Sequence, residues 1–301
     1  MQPERRQLTA FGLLGLVMVL WAGNSIIGRA VRFDVPPLTL AFVRWLGASL
    51  ILLPFAWGPL RRDWPAIRAG WKSVLLLGLL GVGAFNALLY SGLQYTAATN
   101  ALLLQAGIPA AVVAFDRLFF GERSPGIQNL GVVLAILGVA AVVFEGDFAR
   151  ALSLHFGVGD LLILASVVVW ALYTVFLRLR PKIDAISFVA ATFLIGAVTM
   201  APLALLEALS GQHVRWTALA IGSFAYVCVL PSIVAYFIFN WAAGVVGPAR
   251  SGVAITLMPI FGAFLSAPLL GEPLHAYHFV GMALILLGIA LSFVALRRAQ
   301  P

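Results

Sequence analysis

Arg44 is the single charged residue deep inside an apolar run. A guanidinium there either holds an anion or ties neighbouring helices together through carbonyl groups. Polar and aromatic residues recur at helical spacing elsewhere in the chain. Trp21, Ser25 and Gly28 share a stripe bordered by Asn24, Asn86 and Tyr90 stand four apart, and Ser232, Tyr236 and Asn240 follow at i, i+4 and i+8. Ser166, Trp170, Tyr173 and Thr174 form another group, Gln105 precedes Pro109, and Ser251 and Thr256 precede Pro259. Inside a bilayer each of these groups needs a partner, so such faces line a wet cavity or act as interhelical glue worth ~0.6 kcal/mol per bond. As a set they describe a polar and aromatic cavity for a small amphipathic molecule. Asparagines orient its polar end, indole and phenol faces pack an apolar moiety or attract an ammonium group, and Arg44 or a helix N-terminus meets a carboxylate. Pro109 and Pro259 are each expected to remove an i−4 hydrogen bond midway along a helix, and so to serve as moving joints of a gate.

Other chemistries fail on the residues they require. A phosphate-binding loop needs a Gly-x-x-x-x-Gly-Lys-Ser/Thr run, yet the only lysines are Lys72 and Lys182, preceded by Trp71 and Pro181. The His-Glu-x-x-His of zinc proteases and the Gly-x-Ser-x-Gly nucleophile elbow are absent. Gly157-Val158-Gly159-Asp160 mimics half of an intramembrane aspartyl protease, but no second buried aspartate exists to share its proton, and Asp160 reads as a helix cap. His155, His213, His275 and His278 fall in or beside loops, and Cys228 is alone in an apolar run, so no metal site and no cofactor is expected. Asp116, Asp160 and Glu207 lie near segment ends, which leaves no midplane carboxylate for proton coupling and points to a facilitator or a different coupling route.

These residues must be positioned by membrane helices. Of the 301 residues, 62% are apolar and 10% charged, against about 25% charged in a soluble domain, and the mean hydropathy is +1.03. Disorder is excluded by the same richness in apolar residues. A span needs ~20 apolar residues, and ten such segments occur, at about 8–28, 37–57, 73–93, 97–116, 127–144, 158–177, 186–206, 217–241, 247–270 and 276–296. The joints are short and read as loops, among them Arg61-Arg62-Asp63-Trp64-Pro65, so no soluble catalytic domain fits between spans. The first segment is too long, and lacks the cleavage site, for a signal peptide. With the N-terminus cytoplasmic, that side receives fourteen loop Lys and Arg and the other side four, so both termini are predicted to be cytoplasmic. The excess of +8 is thereby explained by topology and calls for no nucleic acid. The expected partners are the lipid bilayer and a small-molecule substrate.

A shift of 150 residues superimposes the chain on itself. Pro109 falls on Pro259, Gly121-Glu122 on Gly271-Glu272, Gly131 on Gly281, Leu134 on Leu284, Leu137 on Leu287, Gly138 on Gly288 and Ala140 on Ala290. Apolar bias does not supply matched Pro, Gly and Glu. The unit therefore holds five helices, an odd number, so residues 1–150 and 151–301 must insert in opposite orientations. Inverted repeats are a mark of secondary transporters with a midplane site between the halves. The predicted fold is thus an all-α membrane protein of ten transmembrane helices, arranged as two inverted five-helix repeats around a central cavity. The fifth and tenth helices carry almost no polar residue and fit a lipid-facing role or a weak homodimer, although no Gly-x-x-x-Gly occurs to demand one.

Trp21-Ala22-Gly23-Asn24, Pro36-Pro37, Phe42-Val43-Arg44, Gln105-x-x-x-Pro109, Gly121-Glu122-Arg123, Gln128-x-x-Gly131 and Gly138 resemble, in order and spacing, an EamA-type repeat of the drug/metabolite transporter superfamily. The second copy repeats the pattern with Gly159-Asp160, Trp170-Ala171-Leu172-Tyr173, Pro259, Gly271-Glu272-Pro273, Gly281 and Gly288. Within that superfamily the chain is most similar to the YddG type of bacterial amino-acid exporters. The resemblance implies ten helices, an inner-membrane location and export of metabolites or drugs through a central cavity. Two expectations follow: an exporter of amino acids, aromatic ones included, or a multidrug exporter of lipophilic cations. The second would be favoured by a buried Glu in the first helix, where Asn24 stands instead.

Overall fold

The computed structural model describes residues 3–121, 126–147, 157–246 and 257–298, and these form helices with no strand among them. In chain order the rods are α1 Pro3–Ala30, α2 Pro37–Ala69, α3 Trp71–Gly92, α4 Ala98–Phe120, α5 Gly126–Val143, α6 Val158–Phe176 and α7 Ala185–Leu209. Then come α8, which runs through Ala218–Val229, Leu230–Val234 and Ala235–Val246, α9 Met258–Leu270 and α10 Ala276–Arg298. Among the described residues, seven helices are long and apolar enough to cross a bilayer: α1 to α4 and α6 to α8. The other three contribute shorter apolar stretches, Asn129–Val143, Met258–Leu270 and Ala276–Leu291.

Local sequence explains several helix ends. Pro37 opens α2 at a position whose N–H would have no partner anyway. Asp184 caps α7 through the N–H of Ile186, and Thr217 caps α8 through that of Ala220. Gly121 and Gly271 close α4 and α9 in the left-handed conformation, at φ 68° and 66°. The Arg61–Pro65 joint, expected as a loop, is helical instead, because α2 continues to Ala69 through Pro54, Pro59 and Pro65. Each proline removes one backbone bond, and the flanking residues hold the turn: Asp63 accepts from the Asp184 N–H at 2.8 Å and Arg62 reaches the Asp184 carboxylate at 3.2 Å.

Two helices lack a cap of their own and receive one from far along the chain. The Glu207 carboxylate, at the end of α7, accepts from Leu38 N (2.9 Å), Thr39 N (2.7 Å) and Thr39 Oγ1 (2.9 Å) at the start of α2. Glu272, after α9, does the same for Ala98 N (2.8 Å), Thr99 N (2.9 Å) and Thr99 Oγ1 (2.8 Å) at the start of α4. Both carboxylates also complement the positive end of the helix dipole. Glu272 thus sits at one end of α4 while Gly121 closes the other.

The packing pairs are regular. α2 lies along α7, α5 along α10, and α4 meets α9; α1 rests on α8 and α9, as α6 rests on α3 and α4. Where α5 and α10 touch, a Cβ built on Gly138 would stand 2.7 Å from the Gly281 carbonyl oxygen, and one on Gly288 only 2.3 Å from that of Gly131. The glycine faces of these two helices are therefore used on each other within one chain. Their opposite faces, with Leu130, Val133, Ile136 and Leu287 more than half exposed, turn outward.

Candidate functional site

Near the middle of the bundle, α3 and α8 each contain a π turn, Leu79–Ala84 and Leu230–Val234. A π turn widens the helix and leaves carbonyl groups for side chains, and such turns occur frequently at functional sites. Arg44 lies between them, 6% exposed. Its Nε donates to Ser232 Oγ at 2.9 Å, inside the α8 turn. Its Nη1 is shared among Asn24 Oδ1 (2.9 Å), Asn86 Oδ1 (2.9 Å) and Tyr90 Oη (3.0 Å). One side chain of α2 thereby binds α1, α3 and α8.

The acceptors are themselves fixed. Tyr90 Oη donates to Asn24 Oδ1 at 2.6 Å, Asn86 Nδ2 donates to Val82 O at 3.2 Å within the α3 π turn, and Ser232 Oγ donates to Val227 O at 2.8 Å. The guanidinium carbon stands 4.4 Å from the Trp45 ring centroid, a cation–π contact that adds roughly 2 kcal/mol when desolvated. Every partner is neutral. No acidic side chain pairs with Arg44 among the described residues, and its Nη2 makes no hydrogen bond to any of them. The indole N–H of Trp45 is also buried with no partner among the described residues.

Aromatic rings surround this centre. Trp21 donates from Nε1 to Pro231 O at 3.1 Å and packs edge-on to Tyr236 and tilted on Phe239. Tyr236 meets Phe193, which packs tilted on Trp45 with ring centroids 4.7 Å apart. Trp170 packs on Phe85 at 4.6 Å and on Tyr173 at 5.1 Å. A cleft of about 200 Å³ enters between α2, α7 and α8; it begins at Asp184 and Ile186, passes Leu52, and reaches Ser232 and Tyr236. At the other end of the bundle the Glu207 and Glu272 caps are joined by Asp34, which accepts from Arg215 N at 2.7 Å through its backbone oxygen.

Of the residues singled out from the sequence, Asn24, Arg44, Asn86 and Tyr90 meet in one hydrogen-bonded group. Trp21, Tyr236, Trp170 and Tyr173 form the aromatic contacts around it. Gln105 stands apart from Arg44 and donates to Ala101 O (3.2 Å) and Ser25 Oγ (3.4 Å). Ser251, Thr256 and the side chain of Asn240 lie outside the described residues. Pro109 and Pro259 do not interrupt continuous helices. α4 breaks at Ala106-Gly107, and each proline occupies the first turn of the segment that follows, Ile108–Phe120 or Met258–Leu270, where an N–H would be unpaired in any case. His278 is buried rather than in a surface loop: its Nδ1 accepts from His275 N at 2.9 Å and its Nε2 faces Asn100 Oδ1 at 2.8 Å. Sequence reasoning missed the π turns, the caps supplied by Glu207 and Glu272, and Trp45 and Phe193 as members of the cluster. The one visible signal for the turns is the placing of Gly81, Gly83 and Pro231 mid-span, 148 to 150 residues apart.

The EamA-like transporter family matches twice, at residues 9–144 and 157–294. The chain is 27% identical over 301 residues to the uncharacterized transporter YetK of Bacillus subtilis, spanning 99% of this chain and 90% of that one. It is 28% identical to an uncharacterized transporter of Archaeoglobus fulgidus (93% and 96% of the two chains) and 32% identical to an uncharacterized protein of Pseudomonas aeruginosa (90% and 89%). A solved crystal structure shares the fold at a TM-score of 0.60 and 19% identity, over 97% of this chain and 99% of its own.

Proposed function

We propose, because the chain belongs to the EamA-like transporter family, that it is a secondary transporter exporting small amphipathic metabolites, amino acids including aromatic ones, across the bacterial cytoplasmic membrane by alternating access. The observation that carries the substrate class is the uncompensated charge of Arg44, which is bonded through Nε to Ser232, a residue that lines the cleft. Desolvating a guanidinium costs roughly 2.5–3.5 kcal/mol on insertion scales, and four neutral partners leave its charge in place. An incoming carboxylate completes the shell through Nη2, with the Trp45 N–H as a second free donor nearby. The same charge repels a lipophilic cation, which weighs against the multidrug alternative. Size weighs the same way, since pockets for drug-sized ligands run to about 300–1,000 Å³ and this cleft holds about 200 Å³. Trp21, Trp170, Tyr173 and Tyr236 are assigned to the apolar part of the substrate, and Gln105, Asn240, Ser251 and Thr256 remain assigned to the cavity on sequence alone.

The architecture proposed with it is two inverted five-helix repeats, 1–150 and 151–301, with both termini cytoplasmic. Three features support it. The packing pairs map onto themselves under the 150-residue shift: α2 with α7, α5 with α10, α4 with α9, and α1 on α8 as α6 on α3. The π turns of α3 and α8 coincide under the shift, as do the glycine caps at 121 and 271. On this reading the cleft at Asp184 opens to the cytoplasm while the carboxylate caps close the outer end, the arrangement of an inward-open carrier. Proline-led half-helices at 109 and 259 are the proposed joints. Impermeant thiol labelling of cysteines placed at Gly121 and Gly271 is expected to proceed from opposite faces of the bilayer; labelling from a common face refutes the inversion.

Counterflow in proteoliposomes with a panel of amino acids and quaternary amines tests the substrate class, with amino acids expected to exchange and the amines not. Tyr236→Ala and Trp170→Ala are expected to slow that exchange about tenfold each without lowering expression, since each removes one packed aromatic face of roughly 1–1.5 kcal/mol. Exchange at the unmodified rate removes the residue from the site.

A further inference from the structure

α2 is longer than a membrane requires. Its 33 residues extend about 50 Å at 1.5 Å per residue, whereas the hydrocarbon core is about 30 Å thick. Counting ~20 residues from Pro37 brings α2 to the far interface near Trp57. α3 begins at Trp71, two residues after α2 ends, and itself crosses with 22 residues. Both ends of the segment from Trp57 to Gly70 therefore meet the same bilayer surface, and the segment runs along that surface. Pro54 and Pro59 interrupt the backbone bonds of α2 where such a turn onto the surface would fall, and the segment rests on the α6–α7 joint through Asp63, Asp184 and the contact of Gly70 with Pro181.

Its two faces differ. Ala56, Leu60, Asp63 and Ile67, spaced four, three and four, turn toward the protein and are buried or half-buried. Trp57, Arg61, Trp64 and Arg68 follow with the same spacing on the flank about 100° round the helix and are all exposed, the two indoles at 58% and 59%. Trp71 and Lys72 continue the patch. The charge of Arg62 is taken up by Asp63 and Asp184, whereas Arg61 and Arg68 form no ion pair among the described residues. A neutral interface anchor needs tryptophan alone. Alternation with unpaired arginines adds an anion requirement.

We infer that Trp57, Arg61, Trp64 and Arg68 form a binding site for an anionic phospholipid of the leaflet beneath this segment, its phosphate between the two guanidinium groups and its glycerol backbone against the indoles. The assignment of that leaflet as the cytoplasmic one rests on the orientation proposed above. Because Arg62 of the same segment holds Asp184 at the cleft mouth, the bound lipid becomes part of the rim through which substrate enters.

The test uses the full chain in nanodiscs of phosphatidylcholine with a minor fraction of phosphatidylglycerol, one of the two lipids brominated at a time. Brominated phosphatidylglycerol is expected to quench tryptophan emission more than brominated phosphatidylcholine at equal mole fraction. Arg61→Gln and Arg68→Gln should each weaken that preference about fivefold, high salt should erase it in the unmodified protein, and the double lysine variant should keep it. Equal quenching by the two lipids, or a preference unchanged in the double glutamine variant, overturns the site. Impermeant labelling of Ala66→Cys separates this from topology. Labelling only from the cytoplasm without a lipid preference refutes the site alone, while labelling from outside with the preference intact upholds the site and refutes the orientation.

Discussion

Arg44→Met is expected to lower amino-acid counterflow about a hundredfold or more while the protein remains folded and inserted. Loss of one partner from a buried, hydrogen-bonded charge pair costs about 2–5 kcal/mol, and on the proposed mechanism the substrate carboxylate is that orphaned partner. Stability responds differently. When the guanidinium goes, Tyr90 still donates to Asn24, Asn86 to Val82 O, and Ser232 to Val227 O, so the polar groups left behind keep other bonds. The desolvation cost of Arg44 disappears at the same time, and replacing a buried charge by an apolar isostere is frequently neutral or stabilising. A carrier that loses transport and keeps its unfolding temperature is the expected signature. Arg44→Lys retains charge but not the planar fork, and should fall between, about tenfold down. Full exchange by the methionine variant would show that Arg44 only ties the helices, and a collapse of stability with transport would show the same.

Gly288→Leu is expected to produce the largest loss of stability of any single change at the α5–α10 contact. A Cβ at 288 meets the Gly131 carbonyl oxygen at 2.3 Å and the Ala135 nitrogen at 2.9 Å, both backbone atoms that no rotamer change can move. The helices must part along their length, and in a bilayer the close packing of small residues is the main attraction between them. Overpacking in a protein core costs about 1–3 kcal/mol, and the rigid backbone here argues for the upper end. A loss of about 3 kcal/mol corresponds to a fall of roughly 5–10 °C in the unfolding temperature, read from tryptophan fluorescence in detergent. Gly15→Leu on α1 is the matched control, because a Cβ there meets nothing within 4 Å. Equal shifts in the two variants would sink the explanation.

Much of the helix layout was legible because an apolar run of ~20 residues has few alternatives in lipid. Within each run, 3.6-residue periodicity was enough to place Asn24 on the inner face of α1 and to pair Asn86 with Tyr90 on α3. What periodicity cannot report is winding. A π turn shifts every following residue around the helix axis, yet it is marked here only by small or proline residues that are common in membrane spans. Long-range caps are equally silent: Leu38 and Thr39 give no hint of Glu207, which lies 168 to 169 residues away. The Arg61–Pro65 stretch misled because charge and proline usually signal a loop, whereas here α2 runs on through them, tied at Asp63 to the Asp184 N–H. Pro109 misled through position, since mid-span it suggested a kink, while the break had already occurred two residues earlier at Ala106-Gly107.

The paired π turns bear on ancestry as well as on Arg44. Each accommodates one residue more than regular winding would, at equivalent depth in α3 and α8. On the two-repeat reading, an insertion common to both copies is older than the gene duplication that joined them. The primordial five-helix protein then already carried the irregularity, and it would have assembled as an antiparallel pair of identical subunits in which both bulges faced the shared hollow.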